Sequence, residues 1–177
     1  MNINVEETKA LFKEYSNIIT NYSLPTWDSF PTIDLYMDQV ITLLEQYMAF
    51  AGDEKIITQS MINNYVKLGI MPPPINKKYS RVHLAYLVII CILKQTLSMG
   101  TIQKIIPCTL TPEEVEKTYN LFIQNQSKAF SYVIDSIKRV ADPVLEDDDI
   151  SRLDDLLIQL SIASNICKIF TDKIVNH

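Results

Sequence analysis

The sequence predicts an all-α protein. Apolar residues recur every three or four positions along most of the 177 residues, and no stretch alternates apolar and polar side chains as a half-buried strand would. Only three glycines are present, which also argues against a sheet of many short strands. With 47% hydrophobic residues, the chain can bury a core and is not disordered. The length suits one domain, or a compact domain with attached helices.

The N-terminal part is predicted to be a helix followed by an extended segment. Residues 5 to 21 form the helix, because their apolar side chains share one broad face. Residues 23 to 33, SLPTWDSFPTI, carry two prolines and two large aromatic residues. Prolines disfavour a helix here. We therefore expect an extended segment that Trp27 and Phe30 hold to the core, with a ligand pocket lined by Trp27, Phe30 and Tyr36 as the alternative.

Two further helices are predicted before the three prolines at 72 to 74, and the first of them follows Asp34. Asp34 is a suitable N-cap for a helix that runs to about Phe50, and AGDEKII then forms a turn.

The stretch VKLGIMPPP predicts a sharp helix end. Thr58 is a good N-cap for a helix over residues 59 to 68. Gly69 fits the position after this helix, where the backbone needs a left-handed conformation that glycine adopts cheaply. Ile70 is expected to fold back on Tyr65, and the three prolines prevent the helix from resuming.

A buried helix is predicted beyond the prolines and the short basic loop INKK. Ser80 caps it, and it is expected to run from Arg81 to about Leu97. Its middle, LAYLVIICIL, is apolar nearly all round, as is typical of a central buried helix. His83 lies near its start and is expected to pack or cap rather than act as a base. Ser98 then begins a short helix that stops at Pro107.

The longest predicted helix begins with the run TPEE. Thr111 is the N-cap, Pro112 occupies the first helical position, and Glu114 completes a capping box. The helix is expected to run to about Ala141. Two adjacent apolar stripes follow it, which indicates contact on two sides, in a bundle or against a partner chain. Burial within a single monomer is the alternative.

An acidic joint is predicted to separate this helix from the last one. Asp142-Pro143 and the run EDDD, residues 146 to 149, form the joint, and Ser151 caps the last helix. That helix is expected to pack antiparallel on the preceding one. Its inward face is predicted to contain Leu153, Leu156, Leu157, Leu160, Ala163, Ile166, Cys167, Phe170 and Ile174.

Charge is distributed unevenly along the chain. Residues 55 to 112 contain seven basic residues and no Asp or Glu, whereas the rest of the chain contains nine basic and twenty-one acidic residues. A positive segment in a chain of net charge −5 is what a polyanion-binding surface requires. The alternative is that acidic residues are absent from this segment by chance and that its seven cations are simply solvated.

The chain contains no motif typical of an enzyme. There is no Gly-rich phosphate loop, no paired metal ligands and no nucleophile motif, so we expect no catalytic residue, cofactor or metal. The cysteines, Cys91, Cys108 and Cys167, are scattered, which fits a reducing cytosol. The longest apolar run, residues 84 to 93, is much shorter than the roughly 20 residues of a membrane span. The acidic N-terminus lacks the cationic region of a secretory signal, so we expect a cytoplasmic protein without a membrane partner.

Residues 58 to 106 resemble the winged helix-turn-helix head of the mercury-resistance-regulator (MerR) family. INNYVKLGIMPPP stands where that family has a leucine, a short Arg-Tyr-Tyr stretch, Gly-Leu-Leu and prolines. KKYSRVHLAYL stands where it has a wing arginine, Tyr-Ser and the next helix, and SMGTIQKII resembles its closing helix. The whole chain is similar to a bacterial family of unknown function that carries this head on a helical body, as LPTWDSFPTIDLYMDQV and YVKLGIMPPP suggest.

The resemblance implies a DNA-binding transcription regulator. The helix at 58 to 68 would lie in the major groove, where Asn and Gln can pair with adenine, and the loop at 72 to 79 would be the wing. The residues implied to contact DNA are Gln59, Ser60, Asn63, Asn64, Lys67, Lys77, Lys78, Tyr79 and Arg81. Asn63 and Asn64 replace the family's Arg and Tyr, and the wing is shorter. Fewer phosphate contacts imply binding that is weak and falls steeply with salt.

Three domains are expected on this basis: an N-terminal helix and linker at 1–33, a MerR-like helix-turn-helix domain at 34–107, and a two-helix body at 108–177. The partner is expected to be double-stranded DNA, bound by a homodimer that forms through the C-terminal helices, because paired heads read paired half-sites. The alternative hypothesis is a helical protein–protein interaction module on a MerR-like scaffold, with little or no DNA affinity.

Overall fold

The computed structural model describes residues 5 to 48, 56 to 146 and 150 to 176. Within these ranges the fold is all-α, as predicted, and extended segments meet only in two isolated β-bridges. The helices are α1 (Val5–Asn21), α2 (Met37–Tyr47), α3 (Gln59–Lys67), α4 (Arg81–Leu93), α5 (Met99–Ile105), α6 (Pro112–Glu146) and α7 (Ile150–Val175).

The chain forms two compact units. One comprises Met1–Ser23 and Asn125–Lys173, which are α1, the C-terminal part of α6 and nearly all of α7. The other comprises Leu24–Gln124 and Ile174–His177, and it carries α2 to α5 and the start of α6. We call these the three-helix unit and the head unit. The three domains expected from the sequence stay a prediction.

An aromatic cluster anchors the segment that precedes α2 in the head unit. Trp27 and Phe30 are buried, which confirms the predicted core anchoring, and residues 27 to 29 form a short 3-10 turn. The Phe30 and Tyr119 ring centroids lie 5.0 Å apart. The Tyr119 hydroxyl donates to the carbonyl oxygen of Pro25 at 2.8 Å, so the start of α6 is tied to this segment.

The start of α2 differs from the prediction. Asp34 is not its N-cap; the helix begins after Tyr36, whose N–H donates to the Gln39 side chain at 2.9 Å. Leu35 keeps an extended backbone, because it exchanges two backbone hydrogen bonds with Tyr79, at 2.9 and 2.8 Å. A helix that began at Asp34 would break this bridge. The predicted end at Phe50 and most of the AGDEKII turn lie outside the described residues.

The central helix α4 is buried on every side. All nine side chains from His83 to Cys91 are buried, as the apolar sequence predicts. The helix ends at Leu93, four residues before the predicted end near Leu97, and a turn follows it. Lys94 follows as the C-cap and donates from its ammonium group to the carbonyl of Ile56, which fixes the chain just before α3.

The core of the three-helix unit is small. Ala141 and Leu156 are its fully buried centre, and Phe12, Ile137 and Leu160 pack against it. α6 continues past the predicted end at Ala141, with Pro143 inside its last turn, where one lost backbone hydrogen bond disrupts little of the helix. Residues 147 to 149 of the predicted joint lie outside the described residues, as do the side chains of Ser151 and Leu153.

The predicted inward face of α7 is only partly correct. Leu156 is buried and Leu160 is partly buried, but Ile166 is 58% exposed and Phe170 is 66% exposed. Every residue from 161 to 170 is exposed, because no described residue covers this part of the helix. Among the described residues, no helix combines the length and apolar content that a membrane crossing requires.

Candidate functional site

Both ends of α3 are fixed by the hydrogen bonds that the sequence predicts. The Thr58 hydroxyl accepts from the N–H of Met61 at 3.2 Å. At the other end, Gly69 has φ +65°, its N–H donates to Val66 at 3.0 Å, and the N–H of Ile70 donates to Tyr65 at 2.9 Å. These two bonds form a Schellman motif, which satisfies the last carbonyl groups of the helix. The helix is therefore a rigid element with defined ends.

The inner face of α3 packs in the head unit. Ile62 and Tyr65 are buried, and α3 lies against α2. Burial raises the pKa of the Tyr65 hydroxyl to about 12, with Cys91 adding to the shift, so this group stays protonated at neutral pH. This face positions the helix and leaves the opposite face to solvent.

The outer face of α3 carries the side chains that the sequence analysis assigned to DNA contact. All five are exposed, and at 100° per residue they occupy about 140° of the helix circumference. None of them forms a hydrogen bond or ion pair with another described residue, so their donors and acceptors are available to a ligand. We call this set the α3 polar face: Gln59, Ser60, Asn63, Asn64 and Lys67.

A two-residue β-hairpin follows α3 where the sequence predicts a basic loop. The N–H of Ile75 donates to Lys78 at 3.1 Å, and the N–H of Lys78 donates back to Ile75 at 2.9 Å. Asn76 and Lys77 lie at the tip with φ of 49° and 62°. Two positive φ angles between paired residues define a type I′ turn, the geometry that matches strand twist. This hairpin lies within residues 72 to 79, where the sequence predicted a wing.

Lys77 holds a strained backbone conformation at the tip of this hairpin. The second central position of a type I′ turn is usually Gly, because a side chain there costs free energy at positive φ. Lys77 is exposed and makes no contact with another described residue that would offset this cost. Strain at an exposed cation is consistent with a role in binding rather than in folding.

Lys78 and Tyr79 are neighbours in the extended segment after the tip, and their side chains point to opposite sides. Lys78 projects outward, and its ammonium group lies 5.3 Å from the centroid of the exposed Tyr36 ring. Tyr79 projects inward, because successive side chains of an extended chain point to opposite sides. Tyr79 is buried and its ring packs edge-on against His83, so it is a core residue and not part of the exposed surface.

Arg81 occupies an intermediate position. It is half-buried, and its Nε donates to the carbonyl oxygen of Pro31 at 3.4 Å. This bond uses one of the five guanidinium donors and holds the group on the protein, so Arg81 is less free than the exposed Lys77 to reach an outside ligand.

His83 ties the hairpin to the start of α4, which confirms its predicted capping role. Its Nδ1 accepts from the Ser80 N–H at 2.9 Å, and the remaining ring nitrogen, Nε2, lies 3.1 Å from the carbonyl oxygen of Pro73. The neutral ring with hydrogen on Nε2 satisfies both bonds. Burial lowers the pKa of His83, against smaller upward effects of the Pro73 bond and Asp34.

Gln103 contributes a contact that the sequence analysis missed. Its side-chain amide donates to the carbonyl oxygen of Gly69 at 3.0 Å, which links α5 to the end of α3. The two residues are 34 positions apart, and no local pattern indicates that they meet.

The described residues contain no cluster of metal ligands, and the thiol of Cys91 is buried. No group of three or more His, Cys, Asp or Glu side chains among them has the arrangement of a metal site. Cys91 is buried, and burial raises the pKa of its thiol to about 11, against the opposite effect of Lys94. The thiol is therefore protonated and unreactive at neutral pH.

Comparison with known families identifies one match. Residues 25–122 match the family model described as a domain of unknown function (DUF1836). This range covers more than half of the chain and nearly coincides with the head unit at 24–124. No match was found among curated proteins or among solved structures.

Proposed function

The chain belongs to the DUF1836 family, and on the geometry of its head unit we propose that it is a DNA-binding transcription regulator that inserts α3 into the major groove and lays the 75–78 hairpin on the adjacent backbone. The observation that carries the proposal is the α3 polar face. It presents exposed amide, hydroxyl and ammonium groups that form no hydrogen bond or ion pair with another described residue, on a helix with fixed ends.

The side chains of the α3 polar face suit base-edge contacts. Gln59, Asn63 and Asn64 each carry an amide that can pair with the N6 and N7 edge of adenine. The helix is narrow enough for the major groove of B-form DNA, which is about 12 Å wide. Because Thr58 and Gly69 fix its ends, the helix backbone that carries these amides is ordered before any ligand binds.

Three lysines are available for phosphate contacts. Lys67 lies in the last turn of α3, and Lys77 and Lys78 lie in the hairpin that follows. Each phosphate neutralised contributes about −0.9 to the slope of log affinity against log salt, so three contacts give a slope of about −3. Raising salt from about 50 to 200 mM should then weaken binding roughly 40-fold.

The order of elements supports a MerR-like head as the structural basis of this proposal. A capped helix, a glycine stop, prolines, a short hairpin and a buried helix follow one another along residues 58 to 93. The hairpin is a minimal wing of two paired residues. A regulator of this kind reads paired half-sites as a dimer.

A random-sequence duplex library tests the proposal by selection of bound DNA and titration of the selected duplex. We expect enrichment of a defined sequence and the salt slope given above. Asn63→Ala and Asn64→Ala should relax the selected sequence, because they remove base contacts. Lys77→Glu should weaken binding of every duplex by a similar factor, because it removes a phosphate contact.

Lys117→Glu is the matched control, since it reverses an exposed lysine of the head unit that lies outside the α3 polar face and the hairpin. It should leave the affinity within twofold of the unmodified chain. Equal duplex affinities for Lys67→Glu, Lys77→Glu and the control would show that the α3 polar face and the hairpin do not bind DNA. The absence of any duplex binding at about 50 mM salt would reject the function.

A second candidate function is a protein–protein interaction module, and apolar side chains beside the hairpin favour it. Ile75 and Ile33 are each 71% exposed, and Tyr36 is 53% exposed next to Lys78. Exposed apolar groups among cations suit an acidic, partly apolar protein surface. Ile75→Ser separates the two functions: duplex affinity should be nearly unchanged if phosphates are the ligand there, whereas a protein partner should be lost.

A further inference from the structure

The middle of α7 is exposed around its whole circumference although six of its ten residues are apolar. The ten residues SIASNICKIF, at 161 to 170, are all exposed, and Lys168 is their one charged residue. An isolated helical stretch of this length is marginal in water, and helices gain most of their stability from packing. A stretch so poor in charge therefore needs a neighbour that covers it.

The largest apolar side chains of this stretch share one face with Ile158, one turn before it. At 100° per residue, they occupy about 120° of the helix circumference. Their exposed fractions lie between 51% and 66%, so each is available for burial. We call this set the α7 ridge: Ile158, Ile162, Ile166, Ile169 and Phe170.

We propose that the α7 ridge binds the α7 ridge of a second copy of this chain, in a symmetric pair of helices. This inference is independent of the proposed DNA binding, since it concerns the three-helix unit and uses none of the residues of the α3 polar face. The sequence predicted a homodimer through the C-terminal helices, and our proposal assigns its contact to this ridge.

The charge distribution favours a second copy as the occupant. A twofold pair places the ridge against a copy of itself, so a net charge on the ridge would face the same net charge. No residue of the ridge is charged, and Lys168 lies about 140° around the helix from the ridge centre. An acidic or basic partner protein would find no complementary charge here.

The area of the ridge is sufficient for a specific pair. Five large side chains that are each about half exposed present on the order of 500 Å² per copy, so two copies cover roughly 1,000 Å² before their neighbours are counted. This value reaches the lower bound for a specific interface. The area on one copy, on the order of 500 Å², also approaches the upper limit of about 600 Å² for an apolar patch that a monomeric protein leaves in water.

Sedimentation velocity of the full chain without DNA, from about 1 to 100 µM, tests the pairing. We expect a reversible monomer–dimer equilibrium. Ile166→Glu should weaken association at least 100-fold, because the residue is at the centre of the exposed stretch and two glutamates would meet across the twofold axis. Ser164→Glu is the control: it adds the same charge to the same turn on the opposite side, so the dissociation constant should change less than threefold.

A charge-swap mixture tests whether the ridge pairs with itself. Ile166→Glu and Ile166→Lys should each be monomeric alone, and an equimolar mixture should recover the dimer, since the opposite charges then meet. Circular dichroism should show equal helix content for all variants, because position 166 is exposed. A monomer at 100 µM for the unmodified chain, or dimers that Ile166→Glu leaves intact, would overturn the proposal. Failure of the mixture to associate would overturn the symmetric arrangement. None of these outcomes depends on DNA.

Discussion

Two helices of this protein carry a broad apolar surface, and they differ in whether the described residues cover that surface. α4 has nine consecutive buried side chains, from His83 to Cys91, inside the head unit. α7 has ten consecutive exposed residues, from 161 to 170, in the three-helix unit. A broad apolar surface on a helix favours burial, but it does not say whether the same chain provides the residues that bury it. For α4 the chain does, and for α7 we propose that a second copy does.

The largest test of this comparison is a truncation on each helix. Leu87 is fully buried on α4, so Leu87→Ala should lower the free energy of unfolding by about 3 kcal/mol, from lost burial and the cavity left behind. Ile162 is 55% exposed, so Ile162→Ala should change it by less than about 0.5 kcal/mol in a monomeric chain. Urea unfolding in the Ile166→Glu background, which removes dimerisation, measures both. Similar costs for the two substitutions would contradict the difference in cover.

A smaller change in the free energy of unfolding is expected at Lys77, an exposed residue with a strained backbone. Lys77→Gly should raise the free energy of unfolding by about 1 kcal/mol, because glycine adopts its positive φ without steric cost. The same change removes a cation that we assign to phosphate binding, so duplex affinity should fall while stability rises. Lys78→Gly is the comparison, since Lys78 is not one of the positive-φ residues and gains nothing from glycine. A destabilised Lys77→Gly protein would show that the side chain supports the fold.

The smallest effect is the change in the free energy of unfolding with pH, and it arises from His83 at the start of α4. Burial lowers the folded pKa of His83 below its ordinary value of 6.5, so the unfolded chain takes up the proton first. The His83 contribution is fully present above about pH 6.5, and the free energy of unfolding falls below it until the folded state also protonates.

His83→Gln isolates this contribution, because glutamine at the third helical position can accept from the Ser80 N–H and does not titrate. The difference in free energy of unfolding between the two proteins should change between pH 7.5 and 5. Carboxylates shared by both proteins cancel in that difference. A pH-independent difference would contradict a neutral buried histidine.

Much of the head unit could be predicted from short-range patterns. Thr58, Gly69 and Ile70 specify both ends of α3, since capping and the Schellman motif depend on residues at most six positions apart. Thr111 and Glu114 likewise satisfy each other at the start of α6, as the TPEE run predicts. The exposed α3 polar face also follows from helical periodicity around the buried Ile62 and Tyr65.

Contacts between distant residues account for the predictions that failed. Asp34 has the chemistry of an N-cap, but the bridge from Leu35 to Tyr79 joins residues 44 positions apart and delays the start of α2. The same bridge fixes which way Tyr79 projects, which moved it from the expected DNA surface into the core. Gln103 reaches Gly69 across 34 positions, a contact that no local motif indicates.

The sequence by itself therefore determined the all-α class, the caps at Thr58 and Thr111 and the glycine stop after α3, because these depend on neighbouring residues along the chain. It also indicated that α4 must be buried all round and that α7 has an apolar face to cover, since exposed apolar side chains are unfavourable in water. Only the tertiary structure decided which side chains remained free, because exposure depends on what the rest of the chain places alongside. It buried Tyr79 beside a half-buried Lys78, and it left the α7 ridge open while it enclosed α4.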